Sequence, residues 1–123
     1  MPQLTTLVDA HLAAYGNPDK AERDDTITAI WAADGAVVDP PLTGTGHAGI
    51  SDLAAAVQSQ FAGHTFRRVS DVDAHHDVLR YAWELVGPDG TVAVSGLDVA
   101  VVADGRLQRV AGFFGELEPR SDA

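Results

Sequence analysis

The segment Thr91–Ala103 constrains the fold more than any other stretch of the chain. Side chains on a strand alternate between the two faces of its sheet. One face here would carry Val92, Val94, Gly96, Asp98, Ala100 and Val102, and the other Ala93, Ser95, Leu97, Val99 and Val101. Both faces are apolar, whereas a sheet with one side in water alternates apolar with polar. Both sides of this strand therefore need cover. Helices can supply one. The other calls for a second copy of the chain, packed through Leu97, Val99 and Val101, or for a sheet coiled tightly enough to cover itself. A homodimer is the expectation.

Neighbouring segments supply the rest of the sheet. Strand patterns run over about Thr65–Ala74, Val78–Val86 and Leu107–Phe114, joined by His75-His76-Asp77, Gly87-Pro88-Asp89-Gly90 and Asp104-Gly105, which are turn sequences. Short turns make neighbouring strands antiparallel. Val78–Val86 has one apolar face (Leu79, Tyr81, Trp83, Leu85) and one polar face (Arg80, Ala82, Glu84). Upstream, helical spacing governs Gln3–Tyr15, a second stretch that runs to Trp31 with a break around Arg23, and about Ala48–Phe61. Asp34-Gly35 reads as a turn before a short strand, Ala36–Asp39, which Pro40-Pro41 stops; Leu42–Gly46 can return beside it. Helices first and an antiparallel sheet after define an α+β chain. With no linker or repeat, residues 1–123 read as a single domain.

Charge and residue usage exclude several function classes. The net charge is −10, from 18 acids and 8 bases, so a nucleic-acid backbone would be repelled. There is no cysteine, hence no disulfide, thiolate catalysis or cysteine-held metal. Met1-Pro2-Gln3-Leu4 lacks the basic and apolar regions of a signal peptide, and no apolar run approaches the roughly 20 residues that span a bilayer. A cytoplasmic protein is expected, with no membrane association. His47, His64, His75 and His76 have no metal-ligand spacing, so no metal site is expected. No glycine-rich phosphate loop follows a strand, and no serine nucleophile elbow is present.

Two aspartates break the apolar pattern. Asp98 lies in the middle of an apolar strand beside Gly96 and Ala100, with no basic residue on that strand. Burying an ionised carboxylate without a partner costs several kcal/mol, so a raised pKa and a neutral acid are expected. The small neighbours imply a cavity beside it. Asp39 ends another apolar strand, immediately before Pro40, which lacks an N–H. An aspartate before proline is also an ordinary turn initiator, and the residues alone leave both readings open.

Four segments resemble a known family. His11-Leu12-Ala13-Ala14-Tyr15, the stretch Ala32–Pro40, Gly96-Leu97-Asp98, and the stretch from Gly105 to Glu116 are similar to segments of the nuclear-transport-factor-2-like superfamily, which includes SnoaL-like polyketide cyclases and bacterial ketosteroid isomerases. The resemblance implies a cystatin-like cone with N-terminal helices packed on a curved antiparallel sheet. It implies Asp39 as general base and Asp98 as a protonated donor to a developing oxyanion. The family places a tyrosine on the first helix as second donor. Matching the helix end puts His11 there, and this is the preferred alignment, while counting back from Asp39 selects Tyr15; four residues apart, they share one helix face.

Such a site would remove a proton next to a carbonyl and hold the enolate oxygen. Isomerisation, cyclisation and dehydration all begin this way, and no cofactor is implied. A non-catalytic ligand-binding or dimerisation module of the same fold is the alternative. The expected ligand is an apolar small molecule. By face and family position, its wall would be Leu12, Trp31 and Val37, then Ile50, Leu53 and Phe61 from the third helix, and Phe66, Trp83, Val94, Phe113 and Phe114 from the sheet.

Overall fold

A computed structural model describes residues 2–121. Three helices pack on a seven-stranded, mixed, curved sheet. In chain order the elements are α1 (Pro2–Gly16), α2 (Lys20–Ile30), β1 (Trp31–Val38), β2 (Thr43–Thr45), α3 (Gly46–Gln60), β3 (Thr65–Arg68), β4 (Asp73–His75), β5 (Val78–Val86), β6 (Val92–Ala103) and β7 (Arg106–Phe114). The strands lie in the order β2-β1-β7-β6-β5-β3, with β4 also on β5.

Helix α1 buries Val8, His11, Leu12 and Tyr15, the stripe its spacing predicts. Asp19 caps α2 by accepting from the Glu22 N–H at 3.1 Å. The break expected around Arg23 does not occur, because the Arg23 guanidinium is buried and donates to the Asn17 carbonyl at 2.9 Å, just past the end of α1. A cation suits the negative end of that helix. Trp31 leaves α2 to open β1, so Asp34-Gly35 is not a free turn but part of an irregular β1. Between Trp31↔Leu107 and Ala36↔Arg109 the pairing slips, and extra residues bulge out. A side chain on Gly35 would collide with the Trp31 indole, which lies over it.

The sheet departs from the all-antiparallel expectation at one pair. β1 runs parallel to β7, and every other pair is antiparallel. Parallel neighbours need a long connection, and most of the chain separates these two. The strand expected over Thr65–Ala74 is split into β3 and β4, both against β5. Between them Val69 N–H donates to the Ala82 carbonyl (2.9 Å) and Ser70 Oγ accepts from Ala82 N–H (2.8 Å), so β5 keeps its partners across the gap.

The buried side chains form one cluster around Val8, Ile27, Trp31, Ile50, Leu107 and Val110. Each such burial stabilises by about 1.5–3 kcal/mol relative to exposure. Polar ties hold the helices in place: Arg68 Nε donates to Asp9 Oδ1 at 2.8 Å, and the Gln58 amide donates to the Tyr15 carbonyl. The outer sheet face remains apolar. Leu97 and Val99 are more than a third exposed, and Val101 is half-buried beside them.

Candidate active site

Strand register brings the two aspartates together. Asp39 follows the end of β1, where its N–H donates to the Leu42 carbonyl at 2.9 Å and closes the Pro40-Pro41 turn. Asp98 sits on β6, opposite Tyr81 of β5 and opposite Gly112 of β7. Both carboxylates line a cavity of about 200 Å³ between the helices and the sheet. That volume is below the roughly 300–1,000 Å³ of sites that enclose a drug-sized ligand.

Asp98 is 5% exposed and held at both oxygens. Tyr81 Oη donates to Oδ2 at 2.7 Å and Trp83 Nε1 donates to Oδ1 at 2.8 Å. Burial raises the Asp98 pKa to about 6, against the two donors that favour its anion and with some help from the Asp39 charge. Gly96 does not leave the empty space expected of it: the Trp83 indole occupies the place a Gly96 side chain would take. That close approach is how the indole N–H comes to reach Asp98.

Asp39 is half-buried, and burial raises its pKa to about 6 as well, opposed by the backbone N–H of Gly112. His11 and Tyr15 both line the cavity. Their rings meet edge-on with centroids 5.0 Å apart. His11 is 3% exposed, and burial pushes its pKa down to about 4, which makes it a neutral imidazole near pH 7. Tyr15 is 6% exposed, and its hydroxyl has no hydrogen-bond partner among the described residues. Burial, and then the two aspartate charges, push its pKa well above the usual phenol value, so it stays a donor.

Of the expected wall, Leu12, Val37, Phe61, Phe66, Trp83, Val94 and Phe114 line the cavity. Trp31, Ile50 and Leu53 do not; they are packed in the core behind it. The apolar stripe of α3 runs the length of the helix, and only its C-terminal end, Val57, Gln60 and the following Phe61, overlooks the cavity. Periodicity identifies a face, not how far along it the space begins. Phe113 points outward and is 58% exposed, as alternation requires once Phe114 points in. It pairs with Leu97 on the outer face. Sequence reasoning missed Pro41, Leu42, Val57, Gln60, Leu85 and Val110 on the wall, and above all Tyr81 and Gly112, which flank Asp98 in the ladder. Tyr81 shares a face with Trp83, and that alternation was the available signal; its pairing with Asp98 depends on register.

No group of residues that could hold a metal ion occurs among the described residues, and no helix there is long and apolar enough to cross a membrane.

A curved mixed sheet with three helices on one side and a cavity between them is a fold shared with solved nuclear-transport-factor-2-like proteins. The chain matches no protein-family model and no curated protein. Among solved structures, a candidate isomerase of the SnoaL-like family from Agrobacterium tumefaciens str. C58 is 32% identical, with a TM-score of 0.88 over 94% of this chain and 100% of that one. The chain belongs to the SnoaL-like family. A candidate polyketide cyclase from Sinorhizobium meliloti has a TM-score of 0.70 at 17% identity, over 88% of this chain and 94% of that one. A protein of ketosteroid isomerase-like fold from Catenulispora acidiphila, in complex with trimethylamine, has a TM-score of 0.74 at 18% identity, over 89% and 85%. These two share the fold.

Proposed function

We propose that this chain is a cofactor-independent enzyme that moves a proton next to the carbonyl of a small apolar compound. Asp39 is the base; Tyr15 and a neutral Asp98 are the donors to the enolate oxygen. The observation that carries this reading is the buried Tyr15 hydroxyl, without a hydrogen-bond partner among the described residues, in a cavity that also holds two carboxylates. A buried donor left without an acceptor costs roughly 1–3 kcal/mol, which a ligand carbonyl would recover.

In the forward step the Asp39 carboxylate takes the proton from the α-carbon. The C–H electron pair forms the enolate double bond, and the carbonyl π pair moves onto oxygen, where the donors hold it. With a β,γ-unsaturated ketone the proton returns to the γ-carbon, which regenerates ionised Asp39 and conjugates the product. A base raised to about 6 is stronger than an ordinary aspartate, and around that pH one proton shared by the pair leaves Asp39 ionised and Asp98 neutral in the productive form. His11 is a wall residue in this scheme, since a neutral imidazole packed edge-on against Tyr15 and Trp31 orients the phenol.

The test is conversion of 3-cyclohexen-1-one to the conjugated enone, followed by ultraviolet absorbance. Tyr15→Phe should lower kcat about 10²–10³-fold with KM little changed. Wild type that binds a phenol in the cavity yet converts no enone would reduce the site to ligand binding.

We further propose a homodimer through the outer sheet face, where Leu97, Val99 and Val101 are joined by Phe113. Leu97→Asp should give a monomer by sedimentation; an unchanged profile would remove the interface from this face.

A further inference from the structure

We infer that Gly112 is the positioning residue of the site, the gap in β7 through which the Asp39 and Asp98 carboxylates meet. This deepens the reading above and rests on it for the role of Asp39.

Glycine within a strand weakens it and calls for a local reason. A left-handed backbone is not that reason, because Gly112 is not among the glycines with positive φ. Alanine could adopt its conformation. The reason is space. A Cβ on Gly112 would stand 3.1 Å from Asp98 Oδ1, 3.3 Å from Asp39 Cγ, and closer still to Asp39 Oδ1, well inside van der Waals contact. The backbone N–H of the same residue lies close enough to the Asp39 carboxylate to favour its anion. Gly112 therefore acts through space: its missing side chain admits Asp39 to the cavity wall beside Asp98, the residue that Gly112 faces in the ladder. The titratable groups around this point are His11 and Tyr15 from α1, Tyr81 from β5 and Asp98 from β6.

The test is Gly112→Ala, with the Asp39 and Asp98 carboxyl carbons titrated by ¹³C NMR. Expelling Asp39 into solvent should bring its midpoint down towards that of an ordinary aspartate, and the Asp98 midpoint should fall with it as the neighbouring charge recedes. Unmoved midpoints in a folded variant would overturn the proposal, whether or not the protein is an isomerase. If enone conversion is established, kcat should also fall about 100-fold, as for a misplaced reacting group, and KM should change little. Should Gly112→Ala unfold, the double-mutant cycle with Asp39→Ala decides. Truncating Asp39 removes the carboxylate that the new methyl would strike, so Gly112→Ala should lower Tm much less in the Asp39→Ala background. An equal loss in both backgrounds would make Gly112 a packing glycine with no bearing on the base.

Discussion

The two aspartates share a cavity but are held in opposite ways. Asp98 is almost wholly buried, with one oxygen bonded to Tyr81 and the other to Trp83. Asp39 hangs from the end of β1 before two prolines, half-buried, with one backbone N–H against its carboxylate. Burial lifts both to about 6, yet in Asp98 it does so against two side-chain donors. Under the proposed function, the difference divides the work between them. A carboxylate fixed at both oxygens cannot swing between two carbons of a ligand, while one just past a strand end, without such side-chain bonds among the described residues, can. Asp98 suits a stationary electrostatic role, and Asp39 suits carrying the proton.

Replacing the Asp39 carboxylate should have the larger effect. Asp39→Asn removes the base and should lower kcat for 3-cyclohexen-1-one by about 10³-fold or more, towards the upper part of the range for general-base catalysis. Isothermal titration with a phenol should show binding within a few-fold of wild type, since Tyr15 and Asp98 remain. A variant that loses binding with turnover, or keeps its turnover, would reverse the assignment of the two aspartates.

The two carboxylates were not equally legible in the sequence. Asp98 stood out because an acid in the middle of an apolar strand has few physical explanations, and alternation placed it on the covered face. Asp39 taken alone read more readily as a turn residue, because its place at the site depends on the space left by Gly112, in a strand far along the chain. The order of helices and strands could be read from spacing and turn residues, since those signals are local. The parallel β1–β7 pair, the bonding of Asp98 to Tyr81 and Trp83, and the true extent of the wall could not. Each depends on strand register or on where packed core gives way to open space, and neither leaves a local mark. Phe113 and Phe114 show the boundary well: alternation says that only one of them faces in, and the register decides which.

Replacing the fixed carboxylate should cost less activity and leave a clearer trace in pH. Asp98→Asn keeps an N–H that can donate to the enolate oxygen, so kcat should drop only roughly tenfold at the optimum, below the usual loss for a deleted donor. The productive wild-type form has Asp39 ionised and Asp98 neutral, one proton on a coupled pair, which predicts a bell-shaped profile around pH 6. In Asp98→Asn the alkaline limb should disappear. Stability should move the other way. The folded-state pKa of Asp98 lies above its unfolded value of 3.8, so the folded chain binds more protons between about pH 4 and 6, and Asp98 destabilises it progressively as pH rises through that window. Asn carries no such charge. Asp98→Asn should therefore be close to neutral at pH 4 and stabilising above pH 6, by on the order of 2 kcal/mol, read from urea unfolding at both values. A variant less stable than wild type at high pH would mean that the Tyr81 and Trp83 bonds outweigh burial, and that Asp98 is an anion held for structure.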